Sequence, residues 1–324
     1  MRLIFPLLVL STVLHAQQPK PPKPPAYLSV IEAGDDYAIQ GEYTGKADTE
    51  EVGVQVWAKG GGQFEAACFT GGLPGTGRDG VRSPHVRMQG SRDADGVKAT
   101  FRLETAHVVA DGETMTLQDG GQRFTLKKVT RTSPTLGAPP PEGAVVLFDG
   151  KGVNRFPNSR VDAALNALEQ GVTSEDTFGD CTVHVEFLLP FMPEARGQGR
   201  GNSGLYLQGR YEVQMLDSFA LDGKDNECGG LYKIAAPMVN MCLPPLTWQT
   251  YDIDFTAAKY DAQGKKTANA KITVKHNGVV IHQDQELPGS TTAAPKKEEN
   301  TPGPIYLQNH GNPVRYRNLW VLRR

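Results

Sequence analysis

The stretch RGNSGLYLQGRYEVQMLDSF, residues 200–219, packs two carboxylates, three side-chain amides and two tyrosines into what read as two short strands around a glycine turn. Side chains alternate across a strand, so one face can enter a core while Tyr206, Gln208, Glu212 and Gln214 share the other. That second face needs either water or a ligand. Glu212 can take or give a proton there; Gln214, two residues on, can do neither. Glu186 in CTVHVEFLL and His310 in PIYLQNHG are the other candidates for proton transfer. Candidate ligand contacts are Asn202, Tyr206, Arg210, Gln214, Asp217, Lys233, Gln308, Arg315 and Arg317. Each has a plainer reading. Glu212 could pair across strands with Arg210 or Arg317, and His310 could serve a turn carbonyl beside Gly311. Asn202 could fix the GNSG turn, and Asp217 could cap a turn or meet a cation. Lys233 could be a surface charge, and Tyr206, Tyr232 and Trp248 could be core aromatics.

Strands must carry these residues. Residues 27–130 show short alternating segments between glycine turns, such as EVGVQVWAKG and GVKATFRLE, which suggest a small β barrel or sandwich. The glycine clusters lack the following helix that a phosphate-binding loop requires. A proline-dense linker, 131–144, separates this region from residues 145–324. There CTVHVEFLL alternates, KITVKHNGVVIHQ reads as a hairpin turning at Asn277-Gly278, and VDAALNALEQG is the one decent helical pattern. Strand follows strand without intervening helices, so the expected architecture is all-β: a two-sheet antiparallel sandwich preceded by a smaller β-rich domain.

The ends and the composition narrow the functional classes. Arg2, the apolar run Leu3–Leu14 and Ala16 have the order of a secretory signal over residues 1–16, followed by a proline-rich linker over 17–26. A periplasmic or secreted protein is expected, with no membrane-spanning run. A formal net charge of −2 without long basic tracts gives no reason to expect nucleic acid or an acidic membrane as partner. Four cysteines allow three pairings; Cys228 with Cys242 is the favoured one because both flank a Gly/Pro-rich segment. No CxxC or HxxxH spacing points to zinc.

Several strings occur together in order: VVLFDGKGV, GNSGLYLQGRYEVQMLDS, GGLYKIAAP with WQTYDIDF, HNGVVI, and GPIYLQNHGNPVRYRNLWV. Over residues 145–324 they resemble the 3-keto-disaccharide hydrolase domain family. The resemblance implies a concanavalin A-like jelly-roll sandwich, a carbohydrate partner and cleavage of glycosidic bonds, with 3-keto-glucosides as substrates. Thr247 and Gln249 stand where many members carry Glu and Asn. An ordinary glycosidase needs two carboxylates, and Gln214 beside Glu212 weakens that route unless Glu186 or Asp217 supplies the second. A ketone at C3 opens another route, because it acidifies the proton on C2. Glu212 is then the base, Glu186 the second choice, and His310 a donor or shuttle. Arg210, Lys233, Arg315 or Arg317, or a divalent cation, would polarise the ketone. The alternative is a noncatalytic, lectin-like carbohydrate-binding module.

Overall fold

Eight strands in the first region pair antiparallel in chain order, and the last, Gln122–Val129, pairs back onto the first, Gly41–Ala47. The computed structural model describes residues 23–76, 84–104, 106–297 and 299–324. The expected signal segment and residues 17–22 of the linker lie outside the described residues. Closure leaves the barrel without a sheet edge. Its interior is filled by Tyr43, Val54, Phe64, Met88, Phe101, Met115 and Leu126, so the barrel is a packed core.

The second region is a sandwich of two antiparallel sheets. The larger runs in the order Val161–Asp162, Ala167–Glu169, Arg315–Arg323, Cys181–Leu188, Trp248–Thr256, Ala270–His276 and Val279–Leu287, with Val145–Phe148 also paired to Arg315–Arg323. The smaller sheet orders Val172–Phe178, Gly303–Leu307, Ser203–Leu207 and Tyr211–Met215. Val183, Val185 and Phe187 from one sheet meet Leu205, Leu207, Val213 and Met215 from the other in one apolar core. Asn277 and Gly278 take the left-handed φ values of 50° and 81° that a tight hairpin turn needs.

Two expectations are corrected. VDAALNALEQG forms a β-hairpin, not a helix: the Asp162 carboxylate accepts the N–H groups of Ala164 and Leu165, and Asn166 turns left-handed at φ 47°. All four cysteines are free thiols. Cys228 and Cys242 are nevertheless brought side by side, fully buried, with the Cys228 sulfur 3.2 Å from the Tyr251 hydroxyl.

Glu186 and Arg317 work on the outer face of the larger sheet. Val183, Val185 and Phe187 point inward, so His184 and Glu186 must point outward. There the linker is fastened over them. Glu186 accepts from the Gly137 N–H at 2.6 Å, Arg317 Nε at 2.6 Å and Asn318 Nδ2 at 2.9 Å. A register shift opposite His184/Glu186 puts Asn318 at φ 45°, which frees its amide to hold the Ala138 carbonyl as well. His184 Nδ1 meets Asp252 at 2.6 Å, and Asp252 accepts from Thr135. Burial alone would raise the Glu186 pKa, yet His184, Asn318, Arg317 and the Gly137 N–H together bring it down to about 2. Burial would likewise lower that of His184, but Asp252 and Glu186 outweigh it and the net shift is upward.

The signs of these shifts define a window. The Glu186 contribution is fully present above its ordinary value of 4.5 and fades as pH falls toward 2. That of protonated His184 is fully present below 6.5 and is lost as pH rises through its elevated folded pKa. The clamp is therefore expected to be strongest between these two ordinary values. In thermal melts across pH, Glu186→Gln should cost on the order of 2 kcal/mol near pH 5.5 and progressively less toward pH 2. A penalty independent of pH would contradict the clamp.

Candidate active site

The hairpin formed by residues 203–215 builds the site. Ser203–Leu207 and Tyr211–Met215 pair antiparallel with Gly204 opposite Gln214 and Tyr206 opposite Glu212. Gln208 and Gly209 close the turn with φ values of 56° and 64°, a geometry that suits glycine and fixes the register. Leu205, Leu207, Tyr211, Val213 and Met215 enter the core. Gly204, Tyr206, Glu212 and Gln214 therefore share the opposite face. That face is not open to water: Tyr206 is 0%, Glu212 2% and Gln214 1% exposed.

Four segments cover it. The short 3-10 turn Gly197–Gly199 supplies Gln198, and the loop after Cys228 supplies Tyr232. The 291–301 segment supplies Thr292 and Ala293, and the turn after Gly303–Leu307 supplies Gln308 and His310. With Asn202, Glu212 and Gln214 they enclose a cavity of about 90 Å³. That is room for the reacting edge of one sugar ring and too little for a buried oligosaccharide. Tyr232 N–H bonds the Glu212 carbonyl at 3.3 Å, and Thr291 Oγ1 accepts the Glu212 N–H at 3.1 Å, so the strand is held from both sides.

The side chain of Glu212 lies across Gly204. A methyl group built on Gly204 would run into Glu212 Oε1, so this strand position tolerates no side chain while the carboxylate stays in place. The carboxylate accepts from the Tyr206 hydroxyl, which burial and the Glu212 charge keep protonated. Gln308 Nε2 donates to the same hydroxyl at 3.0 Å. In the orientation that satisfies its neighbours, the Gln214 amide donates to the Ser203 carbonyl at 3.0 Å and to Glu212 Oε1 at 3.1 Å. Burial pushes the Glu212 pKa up to about 7, against the downward pull of Tyr206. Asn202 Oδ1 and Gln308 Oε1 are buried acceptors without protein partners, while Asn202 Nδ2 is tied to the Gln198 carbonyl at 2.8 Å. Such acceptors suit the hydroxyl groups of a sugar.

Of the sequence-derived candidates, Glu212, His310, Asn202, Gln214 and Gln308 line this cavity, and Tyr206 stands behind Glu212. The other six do not join them. Glu186 and Arg317 belong to the linker clamp, with the Arg317 guanidinium 4.0 Å from the Trp248 ring centre. Asp217 is buried in a 2.6 Å ion pair with Arg200. Arg210 binds the carbonyls of Lys297 and Thr301 and the Glu299 carboxylate, each at 2.8 Å. It is the strap that presents Thr292 and Ala293. Lys233 pairs with Asp225, and Arg315 with Asp162. Gln249, one of the two positions that depart from the family pattern, is fully buried, accepting from Leu243 N–H, His276 and Asn277. Sequence reasoning did not reach Gln198, Thr292, Ala293 or the role of Gly204. Among the described residues no three His, Cys, Asp or Glu side chains converge as metal ligands, so the divalent cation considered from sequence has no ready ligand set at this cavity.

Residues 143–322 match the family model described as the 3-keto-alpha-glucoside-1,2-lyase-like domain. The chain belongs to this family. The concanavalin A-like reading of the sandwich and the carbohydrate-directed expectation agree with that match. The chain is 30% identical to a candidate glycosyl hydrolase of known crystal structure from Parabacteroides distasonis, with a TM-score of 0.51 over 57% of this chain and 85% of that one. Two further candidate glycosyl hydrolases from the same organism share 16% and 19% identity, each with a TM-score of 0.39, over 56% of this chain and 94% and 99% of theirs. Among curated proteins no match is found. A glycosyl-hydrolase-like protein is the class these findings support.

Two measurements test the site's construction. Carboxyl NMR titration should give Glu212 a pKa near 7, and Tyr206→Phe should raise it further because a hydrogen bond to the ionised form is lost. A value near that of a free glutamate would refute the buried geometry. Gly204→Ala should keep the melting temperature within a few degrees but swing the carboxylate aside, lowering any Glu212-dependent rate by about 10²-fold.

Proposed function

We propose that the protein cleaves 3-keto-glucosides by elimination across C1 and C2, with Glu212 as the base. One observation carries the reading: among the described residues that line the cavity there is a single carboxylate, buried and poised near neutrality. Glycosidases that work by displacement use two carboxylates about 5 to 9.5 Å apart. A base-initiated elimination needs one. Ionised Glu212 removes the C2 proton, and the electron pair moves into an enediolate whose oxygen is the former ketone oxygen. The pair then returns to form the C1–C2 double bond as the C1–O bond breaks, and the departing alkoxide takes a proton. Water added back across that double bond gives a 3-keto sugar, and the net result is hydrolysis.

The roles follow from position. His310 at the exposed rim is placed to protonate the leaving group, where the aglycone would emerge toward solvent. The side-chain amide of Gln198 and the hydroxyl of Tyr232 line the cavity as the donors that would hold the enediolate oxygen. Asn202 and Gln308 offer acceptors to sugar hydroxyls. The leader-like pattern of residues 1–16 supports action outside the cytoplasm, where glycans are met.

The test uses a 3-keto-glucoside in D₂O followed by NMR. The wild type should release the aglycone alcohol together with an enone carrying the C1–C2 double bond, or the 3-keto sugar formed from it. Glu212→Gln should slow this by about 10²- to 10⁴-fold while leaving binding largely intact. Saturable binding of the glycoside by the wild type without turnover would replace the enzyme reading with that of a carbohydrate-binding module. Equal rates in wild type and Glu212→Gln would remove Glu212 as the base.

A further inference from the structure

The barrel interior is packed with apolar side chains, and the barrel lies outside the matched family domain, yet its outer wall is built into the sandwich. Trp57, Ala67 and Phe69, which face away from the barrel interior, pack into the sandwich core, and Phe191 of the sandwich enters the barrel core. This exchange is concentrated on one stretch. Trp57, Ala58 and Lys59 of the barrel meet residues 191–202 of the sandwich, the segment that ends in Gln198 and Asn202 of the candidate site.

The contacts are specific. Arg196 Nη2 donates to the Lys59 carbonyl at 2.6 Å, and its Nη1 holds the Pro193 and Ala195 carbonyls at 2.6 and 2.7 Å. Arg200, 1% exposed, donates through Nη1 to the Ala58 carbonyl at 3.2 Å and to that of Pro193 at 3.2 Å, while its Nε pairs with Asp217 at 2.6 Å. The guanidinium of Arg200 sits 5.0 Å from the Trp57 ring centre and that of Arg196 5.9 Å. Gly60, at φ 82°, lies so close that an added methyl would fall 2.7 Å from Glu194 Cγ. Between Arg196 and Arg200 stands only the 3-10 turn Gly197–Gly199, closed by Gly199 N–H to Arg196 carbonyl and Arg200 N–H to Gly197 carbonyl, each 3.1 Å. A turn of two glycines and Gln198 has little rigidity of its own. Its geometry is imposed from both ends by arginines that the barrel holds.

We infer that the barrel is a working part of the candidate active site: its Trp57–Lys59 stretch is a positioning device that sets Gln198 and Asn202 through Arg196 and Arg200. This rests on the reading of the cavity as a 3-keto-glucoside site, but the mechanical claim can be tested apart from it. The barrel would then govern how tightly a sugar is held, while proton abstraction stays with the hairpin of Glu212, which is braced by other segments.

Trp57→Ala and the milder Arg196→Gln, made in the full chain, separate the outcomes. Amide hydrogen exchange should quicken by about tenfold or more at Gly199, Arg200 and Asn202 while strand Tyr211–Met215 keeps its protection. With a 3-keto-glucoside, KM should rise by about tenfold in Trp57→Ala, the pH midpoint of kcat should stay near that of wild type, and the effect should be non-additive with Asn202→Ala. Unchanged exchange at these amides in both variants would overturn the inference. So would a uniform loss of protection across the whole sandwich in both, since that would make the barrel a general staple. Should the wild type fail to cleave the glycoside, the proposed reaction fails and the exchange data alone decide the positioning claim.

Discussion

A slip of one residue by Tyr211–Met215 against Ser203–Leu207 would turn Glu212 into the apolar core and bring Val213 to the cleft. Everything else about the site presupposes that this register holds. The tight turn through Gln208 and Gly209 fixes it locally, and the inward row of Leu205, Leu207, Tyr211, Val213 and Met215 fixes it globally, because those side chains have one place to go. Only then can Gly204 stand beside Gln214 and leave a gap into which the Glu212 carboxylate folds. The gap and the carboxylate define each other.

The register also explains the unusual chemistry of the buried face. A carboxylate taken out of water pays for it through its protonation equilibrium, and here desolvation wins over the Tyr206 hydrogen bond to leave Glu212 near neutrality. Glu186 shows the opposite balance on the other sheet. It too is buried, but four donors surround it and hold it ionised far below neutrality. Two glutamates with similar exposure thus have different work: one can exchange a proton at physiological pH, and the other is a fixed anion that fastens the linker.

Two of the four segments that cover the cleft are held by arginines. Arg210 draws the 291–301 segment against the hairpin, and Arg200 with Arg196 ties the 191–202 segment to the barrel. A guanidinium suits this work because it offers several donors in a rigid plane to backbone carbonyls, and because its charge persists when buried. These arginines approach the site in sequence and support it from behind in space.

Much of the architecture could be read from the chain alone. Alternation in CTVHVEFLL and in the 205–215 hairpin, and Asn277-Gly278 between apolar runs, depend on local stereochemistry, which short segments carry with them. The same local logic picked out Glu212, Gln214 and Tyr206 as an unexplained polar face, and the ordered motifs pointed to the family. It misread VDAALNALEQG, where helical spacing was overridden by the Asp162 carboxylate and the left-handed Asn166. It also grouped Glu186, Asp217 and the arginines 210, 315 and 317 with Glu212, because sequence shows which face of a strand a residue takes but not which sheet or which neighbour will meet it. The separation of Glu186 from Glu212, the arrival of Thr291 beside a residue 79 positions earlier, and the pKa of Glu212 were decided by tertiary structure. Desolvation and long-range contact are properties of the packed sandwich, and no local stretch of the chain contains them.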